Sequence, residues 1–222
     1  LRRAVCIAEK TSHTWNLVAA FLSLSKSCFS LGDIKQTESL LKQVQILAQE
    51  YDFKIFCAEC EKLYGKLAIY HRTWDAGIKK FKKARDLYNS LGKRTPAIGT
   101  KIEEAALLYQ RELYADAFKI AAQAQANAEE VRSPFLQAKA LLIKGNICRF
   151  YKGRESAKWR ECFQRALEAA RTVANVDLHF DILYSLGKAH HSNQSFSEAE
   201  NWYRKAEDIL ERSAANLNQE EA

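Results

Sequence analysis

The sequence predicts an all-α fold, a right-handed α-α superhelix of stacked helix pairs, and three observations carry that prediction. The first is a period. Ala4, Val44, Ala84, Ala124, Ala166 and Ala206 are small or slender and step along the chain by 40, 40, 40, 42 and 40. Ser25, Gly65, Ala105, Gly145 and Gly187 march in phase with them, as do the bulky Leu1, Leu41, Phe81, Phe163 and Tyr203, with Ala121 the exception. A fourth row, Ile34, Trp74, Tyr114 and Phe196, reads as turn positions. A fixed period near 40 with helical patterning marks a solenoid. The second observation is punctuation: only 8 glycines and 2 prolines stand in 222 residues, too few turn formers for an all-β chain. The third is spacing. Ile78, Phe81, Ala84, Leu87, Tyr88 and Leu91 form one apolar stripe, while Lys79, Lys80, Lys82, Lys83 and Arg85 cover the other faces.

Eleven helices follow in order. Residues 1–10 read as the second helix of a truncated repeat, within a segment 1–13. Five pairs follow, in segments 14–51, 52–91, 92–131, 132–173 and 174–213, with 214–222 a polar, frayed tail. The first pair is 14–30 with 34–50, divided by Leu31-Gly32-Asp33, where glycine can take positive φ. The second is 54–71 with 75–91. The third is 97–110 with 114–131, and Thr95-Pro96 reads as its N-cap and first helical residue. Ser133-Pro134 opens the fourth in the same way, 135–152 with 156–173. Tyr151-Lys152-Gly153-Arg154-Glu155-Ser156 is a longer turn that absorbs the two residues of the 42 step. The fifth is 177–192 with 196–213, where Ser197 and Glu200 form a capping box.

Composition narrows the job. A hydrophobic fraction of 47% excludes a disordered chain. No apolar run approaches the ~18–20 residues of a membrane span, and no membrane partner is expected. The start alternates charged and apolar residues and lacks both a secretory signal and an initiator Met. It is therefore read as a piece of a larger protein, with the rest of that protein a candidate neighbour. Six cysteines, Cys6, Cys28, Cys57, Cys60, Cys148 and Cys162, sit inside helical segments, which predicts free buried thiols and a reducing compartment, cytosol or nucleus. A net charge of +7 points to acidic partners.

The rows resemble the tetratricopeptide repeat family. The clearest stretch is 183–210, where Leu186-Gly187 match the family's Leu-Gly pair and Ala199, Tyr203 and Ala206 its Ala, aromatic and Ala. Gly65, Gly77, Phe81 and Ala84 repeat the pattern. The match is uneven: Ser25 and Thr37 replace small residues, Ala121 replaces the aromatic, and Lys144 stands where Leu is usual. The step exceeds the family's common ~34, so helices or loops must be longer. This resembles the extended subtype of kinesin light chains and the Leu-Gly-Asn repeat adaptors, and also helical repeats of large cytosolic assemblies.

The resemblance implies that the first helix of each pair lines a concave groove. It then points to Leu22, Lys26 and Phe29; Lys62, Lys66 and Tyr70; Ile102, Tyr109 and Gln110; Lys139, Leu142, Asn146 and Arg149; and Tyr184, Lys188 and His191, with Glu59, Glu103 and Asp181 the acids. Cations and aromatics suit an extended or helical partner segment carrying acidic residues. The competing reading is that these are ordinary solvated helix faces. Leu142 stands where a lysine would clamp a terminal carboxylate, so chaperone-tail binding is not expected. Cys57-x-x-Cys60 has no second pair for zinc, and His190-His191 point to different faces; neither a metal nor a cofactor is expected. No catalytic constellation stands out, so no enzymatic activity is expected. The run Lys79 to Arg85 leaves nucleic-acid binding as one alternative, and an architectural spacer in an assembly as another.

Overall fold

The structure is a computed structural model that describes residues 13–151 and 158–220. The expected helix at 1–10, Cys6, and most of the turn after Tyr151 lie outside the described residues. Ten α-helices stand among those described: α1 Thr14–Ser30, α2 Ile34–Glu50, α3 Lys54–Tyr70, α4 Trp74–Ser90, α5 Arg94–Gln110, α6 Tyr114–Glu130, α7 Pro134–Cys148, α8 Trp159–Ala170, α9 Val176–Ser192 and α10 Phe196–Glu220. No strand is present among the described residues. The chain divides into two compact units, one ending at Leu107 and one starting at Leu108, so the division falls within α5.

The backbone explains the period. Helices α1 to α6 each hold 17 residues, and a three-residue turn follows each of them. Each turn puts one residue in the left-handed region: Gly32, Asp52, Arg72, Gly92, Glu112 and Arg132, spaced by 20. The next N–H then donates to a carbonyl five residues back, as in Asp33 to Cys28 (2.9 Å), Thr73 to Ala68 (2.9 Å) and Ser133 to Ala128 (3.1 Å). That pairing satisfies the carbonyls a helix end leaves orphaned. The excess over ~34 residues therefore lies in the helices, since the connections are as short as antiparallel helices allow. Only two of the six left-handed positions are glycine. Arg72→Gly and Glu112→Gly should each stabilise the chain by about 0.5–1 kcal/mol, because the steric cost of a side chain there exceeds the entropy lost with glycine. A urea midpoint that fell in both variants would show that the turns carry no such strain.

Several expected boundaries shift, for identifiable reasons. Thr95-Pro96 is not a cap: α5 begins at Arg94, and Pro96 sits third, where its missing N–H is still one of the orphans. Ser133 is the cap it was expected to be, its Oγ accepting from the Leu136 N–H. Ser197 lies inside α10 rather than capping it, because the turn residue Gln194 already delivers the chain to Phe196. The row Ile34, Trp74, Tyr114 and Phe196 opens the second helices and is not in the turns themselves. Helix α7 stops at Cys148, short of 152. Phe150 and Tyr151 turn back to stack on Tyr114 (5.8 Å) and Phe118 (5.6 Å), which takes the chain off the helix axis. Helix α10 continues to Glu220, past the expected stop at 213, since 214–222 contains neither Gly nor Pro to end it.

Packing follows the rows. In the first unit Val18 and Leu22 of α1 meet Leu41, Val44 and Ala48 of α2 and Phe56, Cys60, Leu63 and Leu67 of α3. Ala58, Ala84, Tyr88 and Ala97 continue that core through α3, α4 and α5. In the second unit Ala138, Leu141 and Cys148 of α7 pack with Cys162, Phe163 and Ala166 of α8 and Leu178, Ile182 and Leu186 of α9. The small row is small because the bulky row presses on it. A Cβ at Gly65, Gly145 or Gly187 would come within 2.5, 2.8 and 2.4 Å of the rings of Phe81, Phe163 and Tyr203.

The departures are compensated locally. Thr37 donates to the Asp33 carbonyl at 2.7 Å, and the Ser25 hydroxyl to the Leu22 carbonyl at 2.8 Å, so neither buried hydroxyl is left unpaired. Lys144 lays its amine 5.3 Å from the Phe118 ring centre and donates to Gln125 at 3.1 Å. No disulfide joins the five cysteines among the described residues, and Cys28, Cys60, Cys148 and Cys162 are buried.

Candidate functional site

In the first unit, α1 and α3 are first helices of consecutive pairs. Their expected residues meet. Lys26, Phe29 and Ser30 of α1 and Lys62, Leu63 and Lys66 of α3 line a cleft of about 250 Å³. Leu22 is buried in the core and only backs this surface. Three lysines in one cleft repel, and the fold answers with carboxylates. Glu59 takes Lys26 at 2.6 Å and Lys62 at 3.3 Å, and it accepts the Tyr88 hydroxyl. Glu103 takes Lys66 at 2.8 Å. Burial pushes the Glu59 carboxyl up, but Lys62, Lys26 and the Tyr88 hydroxyl outweigh it and hold it at about 2. Burial pulls the Lys62 amine below the ordinary lysine range, against the pull of Glu59. Burial and the neighbouring Glu59 push the Tyr88 phenol far up, so it stays a donor. Tyr70, 62% exposed, lies edge-on to His71. Ile102 is buried and faces no solvent.

In the second unit, the expected residues of α7 and α9 lie on facing helices. Arg149 just past α7 donates to the Lys188 carbonyl (3.0 Å) and to Ser192 Oγ (2.7 Å), which caps the end of α9. Its guanidinium also lies 5.1 Å from the centre of the Phe150 ring. Tyr109 contacts that ring at 6.0 Å, and burial raises its phenol while Arg149 lowers it. Lys188 sits 5.6 Å from the Tyr184 ring and Lys139 4.7 Å from the Phe135 ring. Asp181 is raised by burial and by Asp177, and lowered by Lys139. Asn146 is half-buried with no side-chain partner among the described residues, and His191 packs edge-on to Phe196 at 5.3 Å. Gln110 is exposed, whereas Leu142 is buried and contributes no polar group.

The basic run on α4 is largely consumed by structure. Lys80 and Lys83 pair with Glu61, whose side chain is only 4% exposed, at 2.9 and 2.6 Å. Arg85 pairs with the buried Glu104. Sequence reading saw these lysines as an outer patch because the two buried glutamates sit on other helices. Cys57 and Cys60 lie on α3, where burial pushes the Cys60 thiol up to about 12 and raises Cys57 as well. Neither is a thiolate near neutral pH. Sequence reading also missed Tyr88 as the cap on Glu59. Its only signal was a polar-tipped ring on an otherwise apolar stripe.

These helix pairs, their left-handed turns and their row of small residues under large ones define a tetratricopeptide-like helical-repeat protein. The crystal structure of BtubC (BKLC) from P. vanneervenii is similar in fold, with a TM-score of 0.68 over 97% of this chain and 89% of that one, at 18% identity. No family model matches the sequence, and no curated protein matches it. No helix among the described residues is long and apolar enough to cross a membrane.

Proposed function

We propose that this chain is a protein-interaction scaffold of the extended tetratricopeptide kind, and that its first helices hold a partner's extended or helical segment bearing acidic residues. One observation carries the reading. Lys26, Phe29, Lys62 and Lys66, which the repeat sets in one row along the sequence, line a single cleft. An apolar floor of Phe29 and Leu63 under three amines suits a segment with an apolar anchor beside a carboxylate. Glu59 and Glu103 hold the amines in place while the cleft is empty. A partner's carboxylate then exchanges one ion pair for another, which sets register more than affinity. The same pairing argues against nucleic acid, because cations already neutralised release few counterions on meeting phosphate.

The test is a pull-down with the whole chain followed by peptide mapping of what is retained. Lys66→Glu with Lys188→Glu should weaken capture by about tenfold or more. Glu59→Gln releases Lys26 and Lys62 and should tighten capture of an acidic segment. Capture indifferent to all of these changes would remove the reading. Retention that falls steeply with salt, with nucleic acid as the retained species, would replace it.

A further inference from the structure

We propose a second partner site on the second unit, a cleft between α8, α9 and α10 that takes a partner segment carrying an apolar residue next to an acidic one. The cleft has a volume of about 350 Å³, and Arg160, Leu167, Arg171, Leu186, His190 and Trp202 are among the residues that line it. Helix α9 presents two different faces. Tyr184, Lys188 and His191 belong to the row described above, while Leu186 and His190 face this cleft. At 100° per residue, positions two apart on a helix look in nearly opposite directions.

The chemistry of this cleft differs from that of the first. In the first unit each lysine of the cleft is committed to a glutamate. Here neither Arg160 nor Arg171 makes an ion pair among the described residues. Arg160 instead stacks 4.4 Å from the Trp159 ring, and Lys205 stands 4.3 Å from the Trp202 ring. Glu168 also lines the cleft, one carboxylate against two guanidiniums. His190 sits between Trp159 (5.3 Å, edge-on) and Trp202 (6.5 Å), and its Nδ1 is buried with no hydrogen-bond partner among the described residues. Leu167, Leu186 and the Trp202 indole supply the apolar wall. Guanidiniums without an ion pair among the described residues, set over an apolar wall, fit a carboxylate, which arginine binds through two parallel N–H bonds, with an apolar side chain beside it.

Three dipeptides test this on the whole chain, through the indole N–H signals of its 4 tryptophans. Acetyl-Leu-Glu-amide, titrated into the millimolar range, should shift the Trp202 and Trp159 signals along a saturating curve. Acetyl-Leu-Gln-amide, of equal size and no charge, should bind about tenfold more weakly, and acetyl-Leu-Lys-amide not measurably. Arg160→Gln with Arg171→Gln should abolish the acidic response without loss of helical circular dichroism, since both side chains are exposed. Glu168→Gln should tighten it. Lys66→Glu with Lys188→Glu should leave it unchanged, which separates this site from the first. The proposal is overturned if Trp202 does not respond, if the glutamine peptide binds equally, or if binding survives loss of both arginines.

Discussion

Phe81→Ala is expected to cost the first unit about 3–5 kcal/mol, and Gly65→Ala about 1–3 kcal/mol, yet the two together should cost clearly less than their sum. The ring of Phe81 is fully buried and lies over the backbone of Gly65. A methyl at 65 would meet its Cε1, Cδ1 and Cζ at 2.5, 2.7 and 2.8 Å, well inside contact distance, and a buried ring has nowhere to turn. Removing the ring alone leaves a cavity. Removing the ring and adding the methyl fills part of that cavity and relieves the clash. The chain itself holds related solutions at the same spacing: Ala105 with Ala121, and Ser25 with Leu41. Urea unfolding of the three variants gives the coupling directly. If the double variant were additive within about 0.5 kcal/mol, the small and bulky rows would not be a single packing device.

That coupling also shows why the helices were readable along the chain. A ring pressing on a glycine recurs in three of the five helix pairs, and other residues of matching spacing fill the same places in the remaining two, so a period is left that survives substitution at single positions. Helices 14–30 and 34–50 are found where spacing put them for the same reason. What could not be read was anything held between helices. The tie of Lys80 and Lys83 on α4 to Glu61 on α3 joins two different helices and falls at no helical spacing, so a buried ion pair looked like a solvated stripe. The stop of α7 at Cys148 was hidden because aromatics that stack and aromatics that continue a helix look alike in sequence. The row of candidate residues on the first helices was half readable. Its positions came from the repeat, but its charge balance did not, because Glu59 and Glu103 take up three of its lysines.

Glu59 makes that balance measurable as acid sensitivity. Its side chain is 16% exposed and its folded pKa lies at about 2, below the ordinary 4.5. A carboxyl depressed on folding stabilises the protein above its unfolded pKa and loses that contribution as the pH falls toward the folded value. Wild type should therefore exceed Glu59→Gln in stability by about 2–3 kcal/mol at pH 6, with the gap shrinking below pH 4.5 and closing near pH 2. Lys62 does not disturb this limb, since its burial penalty is present throughout the acid and neutral range. Glu104 works in the opposite sense. Burial raises it despite Arg85, so it takes up a proton in the folded state first, and acid relieves part of its cost. The raw acid limb of the wild type therefore mixes two signs, and the difference between wild type and Glu59→Gln isolates one. Unfolding by urea at a series of pH values reads that difference. A gap independent of pH would mean that Glu59 holds Lys26, Lys62 and Tyr88 by shape alone, and that the carboxylate charge does not organise the cleft.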